Sequence, residues 1–109
     1  MKVIILPKVH DYLDSLIPIL YEKEYFGFEE SAVRYVYDLA DDIKMNLPKR
    51  PHKLAPAYFD KYGKNMLYAV FVANKRTTWY AFFTKYIENG TTIYLVRRIE
   101  NNHTIAHYL

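Results

Sequence analysis

The stretch Met66-Leu67-Tyr68-Ala69-Val70-Phe71-Val72-Ala73, followed by Asn74-Lys75-Arg76 and then Thr77-Thr78-Trp79-Tyr80-Ala81-Phe82-Phe83-Thr84-Lys85-Tyr86, decides the fold. Two nearly continuous apolar runs, rich in aromatic and β-branched residues and separated by three polar ones, predict two strands joined as a hairpin. Strands this apolar on both faces belong in the middle of a sheet. Glu88-Asn89-Gly90 comes next, and Asn-Gly favours the positive backbone angles of a tight turn. Thr91 to Ile99 is therefore predicted to return as a third strand, with Asn101 to Leu109 as an extended or short helical tail.

Upstream the period changes. Val3 to Leu6 is a short apolar run closed by Pro7, which reads as a first strand. From Val9, the residues Val9, Leu13, Leu16, Ile17, Leu20 and Tyr21 recur at helical spacing, with Pro18 expected to bend or divide that helix. Tyr25 to Phe28 form a turn around Gly27. A second helix opens on Glu29 and Glu30, whose charge suits a helix N-terminus, and continues through Ala32, Val33, Val36, Leu39, Ala40, Ile43 and Leu47 until Pro48. Leu47 to Pro56 reads as a connector, Leu54 to Phe59 as a candidate strand, and Asp60 to Asn65 as a turn around Gly63. Short meander turns leave both helices on one face of the sheet. The expectation is one α+β domain spanning residues 1–109: an N-terminal strand and two helices packed on one face of an antiparallel sheet of three to five strands.

Parity along the last strand assigns its faces. Ile93, Leu95, Arg97 and Ile99 alternate with Tyr94, Val96, Arg98 and Glu100. If the aliphatic residues of the first set lie under the helices, Arg98 and Tyr94 face the open side. Arg97 then points toward the core unless a bulge shifts the register or it lies at the rim.

Charge is divided unevenly along the chain. Residues 1 to 57 carry nine Asp and Glu against eight Lys and Arg (−1); Tyr58 to Leu109 carry seven Lys and Arg against three acids (+4). Basic residues among aromatic ones suit a polyanion, because cations pair phosphates and rings stack on bases. With no cysteine, disulfides, thiolate zinc sites and thiol nucleophiles are excluded. No run approaches the ~20 apolar residues of a membrane helix, and the first residues are too few for a signal peptide, so a cytoplasmic location is expected.

Several groups have plainer meanings. His103 and His107 are four apart but lack a third ligand, so no metal is expected. Trp79, Ala81 and Phe83 alternate with Tyr80, Phe82 and Thr84, and at least one of these sets is core. Lys49, Arg50, His52 and Lys53 read as a solvated linker, and Glu29, Glu30, Asp38, Asp41 and Asp42 as the wet face of the second helix. Nothing in the sequence suggests a paired-carboxylate site, a nucleotide-binding glycine loop or a serine triad.

Two segments carry a resemblance. Tyr58-Phe59-Asp60-Lys61-Tyr62-Gly63-Lys64-Asn65-Met66-Leu67-Tyr68-Ala69-Val70-Phe71, with Asn74 to Phe83, resembles toxin-like proteins of gut Bacteroidetes. Ile93-Tyr94-Leu95-Val96-Arg97-Arg98-Ile99-Glu100-Asn101-Asn102-His103-Thr104-Ile105-Ala106-His107-Tyr108-Leu109 resembles the final strand and tail of the RelE/ParE superfamily of type II toxins, and the order of elements matches along the whole chain. The resemblance implies the toxin half of a toxin–antitoxin pair, with a cognate antitoxin as partner. RelE-like members cut messenger RNA in the ribosomal A site without metal or cofactor; ParE-like members poison DNA gyrase. For the first activity it implies Arg98 on the scissile phosphate, His103 as acid or base and Tyr108 as the tail tyrosine. Lys61, Lys64, Lys75, Arg76 and Arg97 would meet flanking phosphates. The open-face positions of the middle strands, where such enzymes place cations, are expected at Ala69, Phe71, Thr78 or Tyr80. This leaves room for a third reading, a toxin-like module that only binds protein.

Overall fold

A computed structural model describes residues 1–22, 29–73 and 77–105. The expected turn at Tyr25–Phe28, the hairpin loop at Asn74–Arg76 and the end of the tail, residues 106–109, lie outside the described residues. The chain is α+β. Strand β1 (Lys2–Ile5) leads into helix α1 (Pro7–Glu22), helix α2 (Glu29–Asn46) and a 3-10 turn (Leu47–Lys49). There follow β2 (Lys53–Leu54), a 3-10 helix (Ala57–Tyr62), β3 (Leu67–Val72), β4 (Thr78–Glu88), β5 (Thr91–Asn101) and the short α3 (Asn102–Ile105). The sheet has five strands in the order β1-β5-β4-β3-β2. It is mixed, because β1 lies parallel to β5, with Lys2 opposite Ile93 and Ile5 opposite Val96; the other pairs are antiparallel.

Pro7 both closes β1 and opens α1. It has no N–H to extend a ladder, and its fixed φ suits the first helical position. The Leu6 carbonyl accepts from the Val9 and His10 amides at 2.9 and 3.1 Å, starting the helix. Pro18 does not divide α1, which runs through it as one 16-residue helix. Its periodic residues Val9, Leu13 and Leu16 are buried, with Ile17 and Leu20 against the same core, whereas Tyr21 is exposed. Helix α2 buries Ala32, Val36, Leu39, Ala40 and Ile43. Both helices cover one face of the sheet, over Ala69, Phe71, Trp79, Ala81, Phe83, Tyr94, Val96 and Ile99. The indole N–H of Trp79, the one polar atom of that ring, donates to the Tyr35 hydroxyl at 2.8 Å.

Three expectations about faces are corrected. Tyr94 is buried under the helices rather than on the open side, and so are Ala69 and Phe71. For Tyr94 the cause is a bulge: Phe83 pairs with Val96 but Phe82 with Arg98, so Arg97 is the extra residue and parity reverses there. Counting back from Ile99 therefore misassigns Tyr94. Nor is the second face open along its whole length. The segment read as a strand after Leu54 instead forms the 3-10 helix, which sets Phe59 on Phe82 at 4.5 Å between ring centroids and closes a second cluster with Met66. The set Trp79, Ala81 and Phe83 is thus core under the helices, and Phe82 of the other set is core on the opposite face.

The basic connector is solvated at Lys49, Arg50 and Lys53, as expected, yet two of its residues also make fixed contacts. Arg50 pairs with Asp42 at 3.6 Å and lies over the Phe71 ring, and His52 sits edge-on to Phe83 with Nε2 2.9 Å from the Leu47 carbonyl. The β4–β5 turn follows the sequence expectation, with positive φ at Asn89 (51°) and Gly90 (80°).

Candidate functional site

Because β1 stops at Ile5, β5 beyond Val96 has β4 as its only neighbouring strand among the described residues. The arginine pair lies where that free edge begins, at the bulge. Helix α1 passes beside it and contributes Lys8 and Tyr12; the 3-10 helix contributes Tyr62. Together with Arg97 and Arg98 these side chains line a cleft of about 250 Å³ whose floor is Val9 and Ile99.

Each arginine is oriented by a different group. Arg97 Nε donates to the Tyr62 carbonyl at 3.2 Å. That contact needs Gly63, since a Cβ there would lie 2.8 Å from Arg97 Nε, and the residue has φ +155°. Arg98 Nε donates to Glu100 Oε1 at 2.6 Å and Nη2 lies 2.5 Å from the same oxygen. The Arg98 guanidinium also lies 4.2 Å from the centroid of the Tyr62 ring, and Lys61 Nζ lies 5.3 Å from the same centroid. The Glu100 side chain is 11% exposed and that of Arg98 41%, so the carboxylate is the inner partner and the guanidinium reaches solvent. A guanidinium carries five N–H donors, and these contacts leave others for a ligand.

Tyr12 is the titratable group most affected by this setting. Burial raises its pKa above the ordinary phenol value, the Glu100 carboxylate raises it further, and Arg98 acts in the opposite direction. The Lys61 ammonium is also held above its ordinary value, chiefly by its hydrogen bond with Tyr58.

The structure thus brings Lys61, Arg97 and Arg98 to one place, around Tyr62. It does not bring His103 there. His103 is exposed on α3, its amide donating to Asn101 Oδ1 at 2.9 Å. At ~3.3 Å per strand residue, its helix begins roughly 13 Å beyond Arg98. Lys64 is exposed beside Gly63. Lys75, Arg76 and Tyr108 lie outside the described residues. Lys8, Tyr12, Tyr62 and Glu100 were not singled out by sequence reasoning. Only tertiary packing joins α1 to the end of β5, although an Arg-x-Glu pair with both side chains on one strand face was a readable signal for Glu100.

No group of three or more His, Asp or Glu among the described residues is placed to hold a metal ion. No described helix is long and apolar enough to cross a membrane. No family model matches the chain, and no curated protein or solved structure matches it.

Proposed function

We propose that this chain is the toxin half of a type II toxin–antitoxin pair of the RelE/ParE kind, acting in the cytoplasm as a ribosome-dependent messenger-RNA endoribonuclease. The observation that carries the reading is the cleft on the free edge of β5, where two guanidiniums and an ammonium face solvent with one inner carboxylate. Such a cleft suits a phosphodiester whose charge grows as the 2′-oxygen attacks phosphorus. Arg98 holds the scissile phosphate from its exposed side. Arg97 and Lys8 add charge, Lys61 on the 3-10 helix and Lys64 just beyond it meet the next phosphates, and His103 is left to a flanking nucleotide. The cognate antitoxin covers this edge with an extended acidic segment.

A specific observation favours a second reading. Arg98 is already paired with Glu100, and the face opposite the helices presents Tyr68 and Tyr80 rather than lysines. A ParE-like protein that grips gyrase and cuts nothing would need no more.

Induction in a bacterial host, with mapping of RNA 5′ ends and a parallel gyrase supercoiling assay, separates the two. The ribonuclease reading expects growth arrest with new ends inside translated codons, abolished by Arg98→Ala. Arrest with intact messages and inhibited supercoiling would replace it with the gyrase reading. Absence of any arrest would reject both in favour of a protein-binding module.

A further inference from the structure

We propose that Tyr12 is the acid of the reaction, giving its phenolic proton to the 5′-oxygen that leaves when RNA bound at Arg97 and Arg98 is cut. This rests on the ribonuclease reading above. Three observations carry it. Tyr12 lines the cleft together with both arginines and Tyr62. Its backbone is fixed, because α1 buries Val9 and Leu13 on either side of it. Three other acid–base groups nearby are placed for other work: the Glu100 carboxylate accepts from Arg98, the Tyr62 ring lies against the Arg98 guanidinium, and His103 is exposed on α3 past the end of the strand.

The chemistry balances with water as the only co-reactant. The ribose 2′-hydroxyl loses its proton to solvent, its oxygen bonds to phosphorus, and the bond from phosphorus to the 5′-oxygen breaks. That oxygen departs with the bonding electrons and takes the Tyr12 proton; the phenolate regains one from water. The products are a 2′,3′-cyclic phosphate and a 5′-hydroxyl. A departing alkoxide is much more basic than a phenolate, so the transfer runs downhill even from a phenol that burial and Glu100 make a weaker acid than usual. The same setting keeps Tyr12 protonated at neutral pH, which an acid requires. Glu100 is a positioning residue here: it aims Arg98.

The test uses the full chain on programmed ribosomes and two messages, one normal and one with sulfur replacing the leaving 5′-oxygen at the cut site. A thiolate leaves without being protonated. Tyr12→Phe, which keeps the ring, is expected to slow cutting of the normal message by about 10²- to 10³-fold and of the sulfur message by less than about threefold. Lys8→Ala, which removes charge alone, should slow both alike. Equal losses on both messages, or no loss on either, overturn the assignment of Tyr12 while leaving the ribonuclease reading intact. A wild-type protein that cuts neither message overturns both. Should Tyr12→Phe lose its thermal transition, 3-fluorotyrosine at position 12 serves instead: its more acidic phenol must alter the rate on the oxygen message and not on the sulfur one, and equal response on both overturns the proposal.

Discussion

Between Ile93 and Val96, β5 is bonded to β1 on one side and β4 on the other, and Ile93, Tyr94 and Val96 are buried. From Arg97 to Asn101 the same strand pairs only with β4 among the described residues, bulges, and carries two arginines and a carboxylate. The change falls where Pro7 ends β1. A central strand must satisfy its ladder on both sides and fill its pleat with apolar atoms, whereas an edge gives up one ladder and gains access to solvent. One proline just after the first strand thus decides where on the last strand charged chemistry can lie.

The sharpest way to break this contrast is to put a charge in the paired half. Val96 is fully buried opposite Phe83, so Val96→Asp places a carboxylate among apolar side chains without a partner. A loss of about 4–5 kcal/mol is expected in urea unfolding, enough to unfold a marginal domain. A loss under about 1 kcal/mol would mean that the two halves are equally tolerant and that the contrast is false.

Next in size is Gly63→Ala. The new Cβ must displace the Arg97 guanidinium that lies 2.8 Å away, and the backbone there has φ +155°. About 1–3 kcal/mol of destabilisation is expected in the same assay. Because Arg97 is released from the Tyr62 carbonyl, the cleft should also lose affinity for a short RNA by more than Lys64→Ala costs.

Arg98 and Glu100 refine the charged half. Arg98→Ala removes the guanidinium from beside a mostly buried carboxylate and should cost about 1–2 kcal/mol, the figure held down by the solvent that reaches this pair. Arg98→Met with Glu100→Gln, which removes both charges and keeps the volume, should recover most of that loss. If the double variant is no better than the single one, the pair is not coupled and Glu100 does not aim Arg98.

What was legible in the chain follows from which signals are local. Val9, Leu13 and Leu16, like Val36, Leu39 and Ile43, are spaced by the helix itself, so their burial could be read directly. Asn89-Gly90 states its turn through its backbone preferences. Tyr94 was misread because one inserted residue, Arg97, reverses parity, and the basic and apolar residues around a bulge look the same in a list as those of a regular strand. Phe59 was assigned to a strand although a 3-10 helix delivers it onto Phe82. Of the cleft, Arg97 and Arg98 were visible as cations in an aromatic setting, as was Lys61 beside it. Lys8 and Tyr12 were hidden, since nothing in α1 alone records that its outer side passes the end of β5.

The smallest effect tests that passage of α1 over the free edge. Folded Tyr12 keeps its proton to higher pH than it does in the unfolded chain, where a phenol titrates near 10. As pH rises through that value, the unfolded state loses the proton while the folded state still holds it, so the unfolded state binds fewer protons and stability falls with pH. The contribution is complete below the unfolded value and is lost as pH climbs to the folded one. Tyr12→Phe removes this residue's share and leaves those of the other tyrosines. Urea midpoints measured from about pH 8 to about pH 11 should therefore fall less steeply for the variant, with the two proteins closest at the acid end of the range. Parallel curves would show that Tyr12 is as open to solvent in the fold as in the unfolded chain, and that α1 does not wall the cleft.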